Sequence, residues 1–188
     1  MSLPVTMRKT ELPGVLLIES PVFRDERGFF TEAYSRKTWE ALGFDGTFVQ
    51  DNISQSRKGT LRGMHYQLEP HGMGKLIRVV SGAAFDVAVD LRDNSPTRGK
   101  WFGYELTPSS GVCMWIPSGF AHGFLALEDD TLVYYKCTEF YCPEAERSLS
   151  YACPKTAIDW PLEPAVISKK DAEAPFIGDA ESNFVYQG

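Results

Sequence analysis

A chain of 188 residues with 43% hydrophobic and 23% charged residues is long enough to bury one sizeable core and too apolar to stay disordered. Its net charge of −6 excludes broad electrostatic attraction to nucleic acid or to anionic membranes, so an anionic ligand has to meet a local basic cluster. Aromatic residues at 13% favour a β-rich architecture. In the first 20 residues the apolar run 15–18 is too short for a signal-peptide core or a membrane span, and the expectation is a cytoplasmic protein without membrane partners. The four cysteines, Cys113, Cys137, Cys142 and Cys153, form no C-x-x-C pair and read as buried free thiols, not as a zinc or redox site.

Along the chain, "GVLLIES" (14–20) is an apolar candidate strand, and Asp25–Gly28 marks a turn within "VFRDERGFF". The clearest helical pattern is "SRKTWEALGF" (35–44), where Ser35 caps, Trp39 and Leu42 share a face, and Gly43 terminates. Next, "LRGMHYQ" (61–67) reads as a strand on which Arg62, Met64 and Tyr66 face one way and Gly63, His65 and Gln67 the other. Arg62 and His65 then share a face only where a bulge or a strand boundary intervenes. Further strands are "KLIRVV" (75–80), "AAFDVAVDL" (83–91), "VCMWI" (112–116) and "TLVYYKCT" (131–138). In the second of these Asp86, Ala88 and Asp90 alternate with Phe85, Val87, Val89 and Leu91, giving one packed and one polar face. In the last, alternation lets only one of Tyr134 and Tyr135 enter a barrel. Beyond Pro161, "LEPAVISKKDAEAPF" reads as an irregular arm wrapping the core. With no repeat or linker, residues 1–188 are expected to form a single, mainly β domain, a sandwich or barrel with a few short helices and a C-terminal arm.

The stretch "GVCMWIPSGFAHGF" (111–124) resembles the second motif of the cupin jelly rolls. A strand ends at Trp115-Ile116, Pro117-x-Gly119 reverses the chain, and His122 opens the next strand. Metal-dependent cupins add a His-x-His pair and a carboxylate from an earlier strand. Here that strand offers His65 alone, and His71 lies in the "EPHGMG" turn, so no metal and no cofactor are expected.

Longer stretches carry a closer resemblance: "VFRDERGFF", "FVQDNISQSRKGTLRGMHYQ", "GKLIRVVSGAAFDVAVDLRDNSPTRGKW", "WIPSGFAHGF", "YKCTEFY", "IDWP" and "ISKKDAEAP". In this order, over most of the chain, they resemble the dTDP-4-dehydrorhamnose 3,5-epimerases, homodimeric cupin-fold enzymes. The resemblance implies a dTDP-4-keto-6-deoxyhexose as substrate, and the chemistry suits the residue types. Hydrogens at C3 and C5 of a 4-keto sugar are α to the carbonyl, so epimerisation needs a base, an acid on the other face and a stabilised enolate oxygen. By resemblance His65 is the base, Asp171 orients its imidazole, Lys75 stands at the enolate and Tyr135 returns the proton. Tyr141 matches the residue that stacks on the nucleotide base. Arg27, Glu32, Gln50, Asp51, Asn52, Arg62, His122, Glu146 and Lys170 fall on substrate-binding positions, the arginines suiting a diphosphate.

Taken singly, these residues keep simpler readings open. Lys75 is also a solvated strand-start lysine, Tyr141 a core aromatic, "RDERG" a salt-bridged turn, and His122 a donor to a buried neighbour. The chain departs from the family at Gly72-Met73, where an Ala-Gln pair is usual, and at "SYACP" (150–154). The rival readings are a relative that epimerises only C3 or only C5, a metal-dependent cupin oxygenase, and a non-catalytic sugar-nucleotide binding module. The family's pairing through exchanged N-terminal strands points to "GVLLIES" as such a strand.

Overall fold

A computed structural model describes residues 5–188. The chain runs through β1 (Thr6–Lys9), β2 (Leu16–Glu19), β3 (Phe23–Asp25), β4 (Gly28–Phe30), α1 (Arg36–Glu40), β5 (Gln50–Ser56), β6 (Thr60–Gln67), β7 (Lys75–Ser81) and β8 (Ala84–Asp90). It continues through β9 (Trp101–Leu106), β10 (Val112–Ile116), β11 (Phe120–Ala126), β12 (Thr131–Cys137), β13 (Glu146–Ser148), β14 (Val166–Ile167) and α2 (Lys169–Ala172). One antiparallel sheet has the order β1-β2-β10-β7-β12-β5, and the second runs β13-β6-β11-β8-β9 with β14 added parallel to β6. The two sheets form a jelly roll whose interior is filled by Leu17, Ile77, Val79, Met114, Phe124 and Val133.

Both outer faces are also covered, which simple alternation does not anticipate. Over the first sheet, Trp39 of α1 packs with Phe44, Tyr34, Phe48 and Trp115 in a set of edge-to-face and stacked rings. Over the second, Met64, Tyr66, Val87 and Val89 lie beneath Leu149 and Trp160 and beneath Ile177 and Phe184 of the C-terminal arm. The apolar set of β8 therefore faces the arm, and its polar set, Asp86 and Asp90, turns into the molecule, where both are fully buried.

The helix is shorter than its pattern predicts. Ser35 accepts the Thr38 N–H at 3.4 Å as N-cap, but helical geometry ends at Glu40 and Gly43 sits at φ +86°. Leu42 thus belongs to the turn, stays exposed, and does not share the buried face of Trp39. The "GVLLIES" segment supplies β2, which pairs with β1 and β10. Of the four free cysteines three are buried and Cys142 is half-buried. Among the described residues no helix is long and apolar enough to cross a membrane.

The arm is fastened at several points. Val166 and Ile167 pair with Thr60 and Leu61, Tyr66 Oη donates to Glu181 O at 2.6 Å, Ser182 Oγ donates to Leu91 O at 2.9 Å, and Phe184 is buried. These anchors bring α2 back to the mouth of the barrel beside β6.

Candidate active site

A bulge in β6 builds the site. His65 pairs with His122 of β11, and Arg62 pairs with Phe124, so three steps on β6 span two on β11. Met64 turns outward and exchanges backbone hydrogen bonds with Leu149, at 3.2 and 2.8 Å. Arg62 and His65 consequently line the same cleft, the condition under which their sequence spacing is compatible with one face. Two glycines permit this: Gly63 has φ +118°, and a Cβ there would lie 2.5 Å from Gly123 Cα.

His65 Nε2 meets Asp171 Oδ1 at 2.6 Å, and the Gly63 N–H donates to Asp171 Oδ2 at 3.3 Å. Asp171 sits in the first turn of α2, its own N–H accepted by Ser168 Oγ at 3.1 Å. Burial pushes the Asp171 carboxyl up, but the hydrogen bond and charge of His65, with the Gly63 N–H and Ser168, outweigh burial and hold it below the usual carboxylate range. An ionised Asp171 accepts a hydrogen bond from the Nε2–H of His65, which selects the tautomer with Nδ1 as the unprotonated nitrogen.

Lys75 Nζ lies at 3.4 Å from His65 O. Desolvation lowers the pKa of its ammonium, against the pull of Cys137, Asp86 and Glu146. Behind it, His122 Nε2 meets the fully buried Asp86 Oδ1 at 2.8 Å, so His122 serves a buried neighbour. Tyr135 reaches the cleft, and burial raises its phenol above the ordinary value, keeping it protonated. Tyr134 takes the outer face and donates to Asp51 Oδ2 at 2.9 Å.

The cleft has two arms that meet at His65, Lys75 and Tyr135. The larger, about 480 Å³, is walled by Arg62, His122, Phe124, Lys170 and Asp171. Arg62 is held there by neutral acceptors, Ser56 Oγ at 3.0 Å and Gln55 O at 2.9 Å, which leaves its charge free for an anion. The smaller, about 270 Å³, is walled by Gln50, Asn52, Gln67, Met73, Tyr141 and Glu146. Glu146 Oε2 joins the two, accepting from Tyr141 Oη at 2.9 Å and pairing with Lys170 Nζ at 2.6 Å.

Three expected residues stand elsewhere in this chain. Arg27, its side chain 84% exposed, is ion-paired with Asp25 in the β3–β4 hairpin, as the salt-bridged-turn reading has it. Glu32 follows that hairpin and lines neither arm. Asp51 points to the outer face of β5, where Lys136 Nζ at 2.7 Å and Tyr134 hold its carboxyl below the usual range. Strand alternation separates Asp51 from Gln50 and Asn52, which do reach the cleft. Asp86, Gln67, Met73 and Ser168 are the site residues that sequence reasoning left unassigned. Asp86 carries the one available signal, a carboxylate on the face of a largely apolar strand that it shares with Ala88 and Asp90.

His122 has a thermodynamic consequence. Desolvation lowers its pKa from 6.5, only partly opposed by Asp86. As pH falls below 6.5, the unfolded chain takes up a proton that the folded site refuses, so stability falls, by at most about 1.4 kcal/mol per pH unit for one site. Urea denaturation between about pH 5 and pH 7 is expected to show a steeper acid decline for the native chain than for His122→Asn. Parallel curves for the two would contradict it.

A jelly roll with a histidine–carboxylate pair, a desolvated lysine and a neutral phenol around one cleft defines an acid–base isomerase of cupin type. The model of the dTDP-4-dehydrorhamnose 3,5-epimerase family matches residues 9–179, and the chain belongs to that family. It is 48% identical over 174 residues to the dTDP-4-dehydrorhamnose 3,5-epimerase of Shigella flexneri, covering 92% of this chain and 96% of the other. Among solved structures, the dTDP-6-deoxy-D-glucose-3,5-epimerase of Legionella pneumophila, in complex with dTDP-4-keto-L-rhamnose, superposes with a TM-score of 0.92 at 44% identity, covering 98% of this chain and all of that one. A 3'-monoepimerase from Streptomyces bikiniensis, in complex with dTDP-quinovose, has a TM-score of 0.86 at 32% identity, covering 92% of this chain and 88% of that one.

Proposed function

We infer that the protein converts dTDP-4-dehydro-6-deoxy-D-glucose to dTDP-4-dehydro-L-rhamnose by epimerisation at C3 and C5. The observation that carries this reading is the His65–Asp171 contact of 2.6 Å in a cleft shared with Lys75 and Tyr135, in a chain of this family. His65 Nδ1 removes the proton α to the carbonyl while Asp171 stabilises the resulting imidazolium. Lys75 supplies positive charge at the enolate oxygen, where a preorganised donor contributes about 3 kcal/mol. Tyr135 donates a proton to the opposite face of the carbanion, and once His65 has released its proton to solvent and Tyr135 has taken one up from solvent, the cycle repeats at the second carbon. Arg62 and Lys170 serve the diphosphate and Tyr141 the thymine. No redox step occurs, so the residues of the chain suffice.

Identity of 48% to a double epimerase against 32% to a monoepimerase favours action at both carbons. Proton NMR of dTDP-4-keto-6-deoxy-D-glucose with the enzyme in D₂O tests this: deuterium is expected at C3 and C5. Incorporation at one carbon assigns a monofunctional epimerase, and incorporation at neither returns the choice to a metal cupin or a binding module.

The same reading places one catalytic domain, residues 1–188, in the cytoplasm as a homodimer. Support for the dimer comes from the β3–β4 hairpin, whose Phe23, Phe29 and Phe30 are exposed, together with exposed Ile53 and Val80. A second copy covering this surface would bury those rings and give Arg27 and Glu32 a cleft to serve. Sedimentation measures the assembly, and a monomer at working concentration would remove it.

A further inference from the structure

Residues 138–142, between β12 and β13, contain no helix or strand, yet they carry Tyr141. Side chains hold the backbone of this loop. The Tyr141 N–H donates to Gln50 Oε1 at 3.1 Å and the Cys142 N–H to Gln67 Oε1 at 2.9 Å. Gln67 Nε2 gives one hydrogen to Phe140 O at 3.2 Å and the other to His71 O, on the loop that carries Met73, at 2.9 Å. Gln67 is 4% exposed and stands on β6 two residues after His65, facing the same cleft. One buried amide thus fastens both loops of the smaller arm to the strand that carries the base.

Tyr141 is tied at both ends, through its backbone N–H to Gln50 and through its ring hydroxyl to Glu146, while 54% of the residue remains exposed. An aromatic face that is open but immobile stacks on a flat heterocycle without a further ordering cost. The remaining polar groups of the arm are committed within the protein: Gln50 Nε2 donates to Asn52 Oδ1 at 3.1 Å, and Asn52 Nδ2 to Cys137 Sγ at 3.4 Å. Beyond His65, Lys75 and Tyr135, which it shares with the larger arm, what the arm offers a ligand is therefore chiefly the face of Tyr141 and the side chain of Met73.

We propose that Gln67 is a positioning residue that sets Tyr141 and the Met73 wall, so that binding of the nucleotide base depends on it while proton transfer at the sugar does not. The assignment of a base to this arm rests on the function proposed above. Gln67→Leu removes the partner of three half-buried backbone groups, the Phe140 and His71 carbonyls and the Cys142 N–H, and Gln67→Glu keeps the acceptor for Cys142 N–H but sets a carboxylate oxygen against two carbonyls.

Steady-state kinetics, with dTDP and inorganic pyrophosphate as competitive inhibitors, separate the roles. In Gln67→Leu, KM and the dTDP inhibition constant are expected to rise about 10-fold or more, with kcat and the pyrophosphate constant held within about threefold. Gln67→Glu is expected to shift the same two constants in the same direction, which keeps the test open where the leucine variant does not fold. Adding Gln67→Leu to Tyr141→Ala should weaken dTDP no further. An unchanged dTDP constant, equal loss of dTDP and pyrophosphate, or an additive double variant would overturn the proposal. Lack of turnover by the native enzyme would instead sink the proposed reaction, and calorimetric titration with dTDP and pyrophosphate would still decide the role of Gln67.

Discussion

His65→Ala is expected to lower kcat by roughly 10²- to 10⁴-fold and to abolish deuterium incorporation at both carbons. Asp171→Asn is expected to fall in the same range for a different reason. Asparagine fills the same space but presents a neutral amide to Nε2, so the imidazole loses both the group that fixes its tautomer and the charge that stabilises its protonated form. The contact is short, the carboxylate is buried, and its partners at Gly63 and Ser168 are already in place, so no solvent molecule readily replaces it. Single-turnover kinetics with native and variant enzymes make the measurement. Activity of Asp171→Asn within threefold of native would show that α2 contributes packing alone.

The second large effect falls on a residue that touches no substrate. Gly63→Ala is expected to cost more than about 3 kcal/mol of stability and to reduce kcat of the folded fraction. The new Cβ would stand 2.5 Å from Gly123 Cα and 2.7 Å from His122 O, backbone atoms that cannot rotate aside, at a φ of +118° that L side chains avoid. Relief requires β6 and β11 to separate at the point where His65 faces His122. Urea denaturation measures the loss. A variant within about 1 kcal/mol of native and fully active would mean that the bulge tolerates a side chain.

Much of the fold was legible because short-range physics decides it. Lys75–Ser81, Val112–Ile116 and Thr131–Cys137 are strands where β-branched and aromatic runs place them, and alternation correctly offers Tyr135 and Tyr134 to opposite faces. The helix was overestimated because its last turn is decided by Gly43 and by the ring cluster around Trp39, which needs Trp39 but not Leu42. The polar face of β8 was legible as polar, but not as interior, since its direction depends on an arm more than 60 residues away in sequence that covers the other face.

The roles at the site divide in the same way. Motif resemblance pointed to His65, Lys75, Tyr135 and Asp171, because the proposed chemistry asks for those side-chain types and the stretches around them are distinctive, and all four line one cleft. Sequence alone thus determined the class of chemistry and the mainly β architecture, and it singled out the residues to look for in the cleft. Tertiary structure decided which of the named residues share a cleft. Two glycines meeting across β6 and β11 turned His65 to the side of Arg62, the fastened arm delivered Asp171 from 106 positions away, and the hairpin carried Arg27 out of the site. Each of these depends on a close approach between segments distant in the chain, and local propensity carries no record of such approaches.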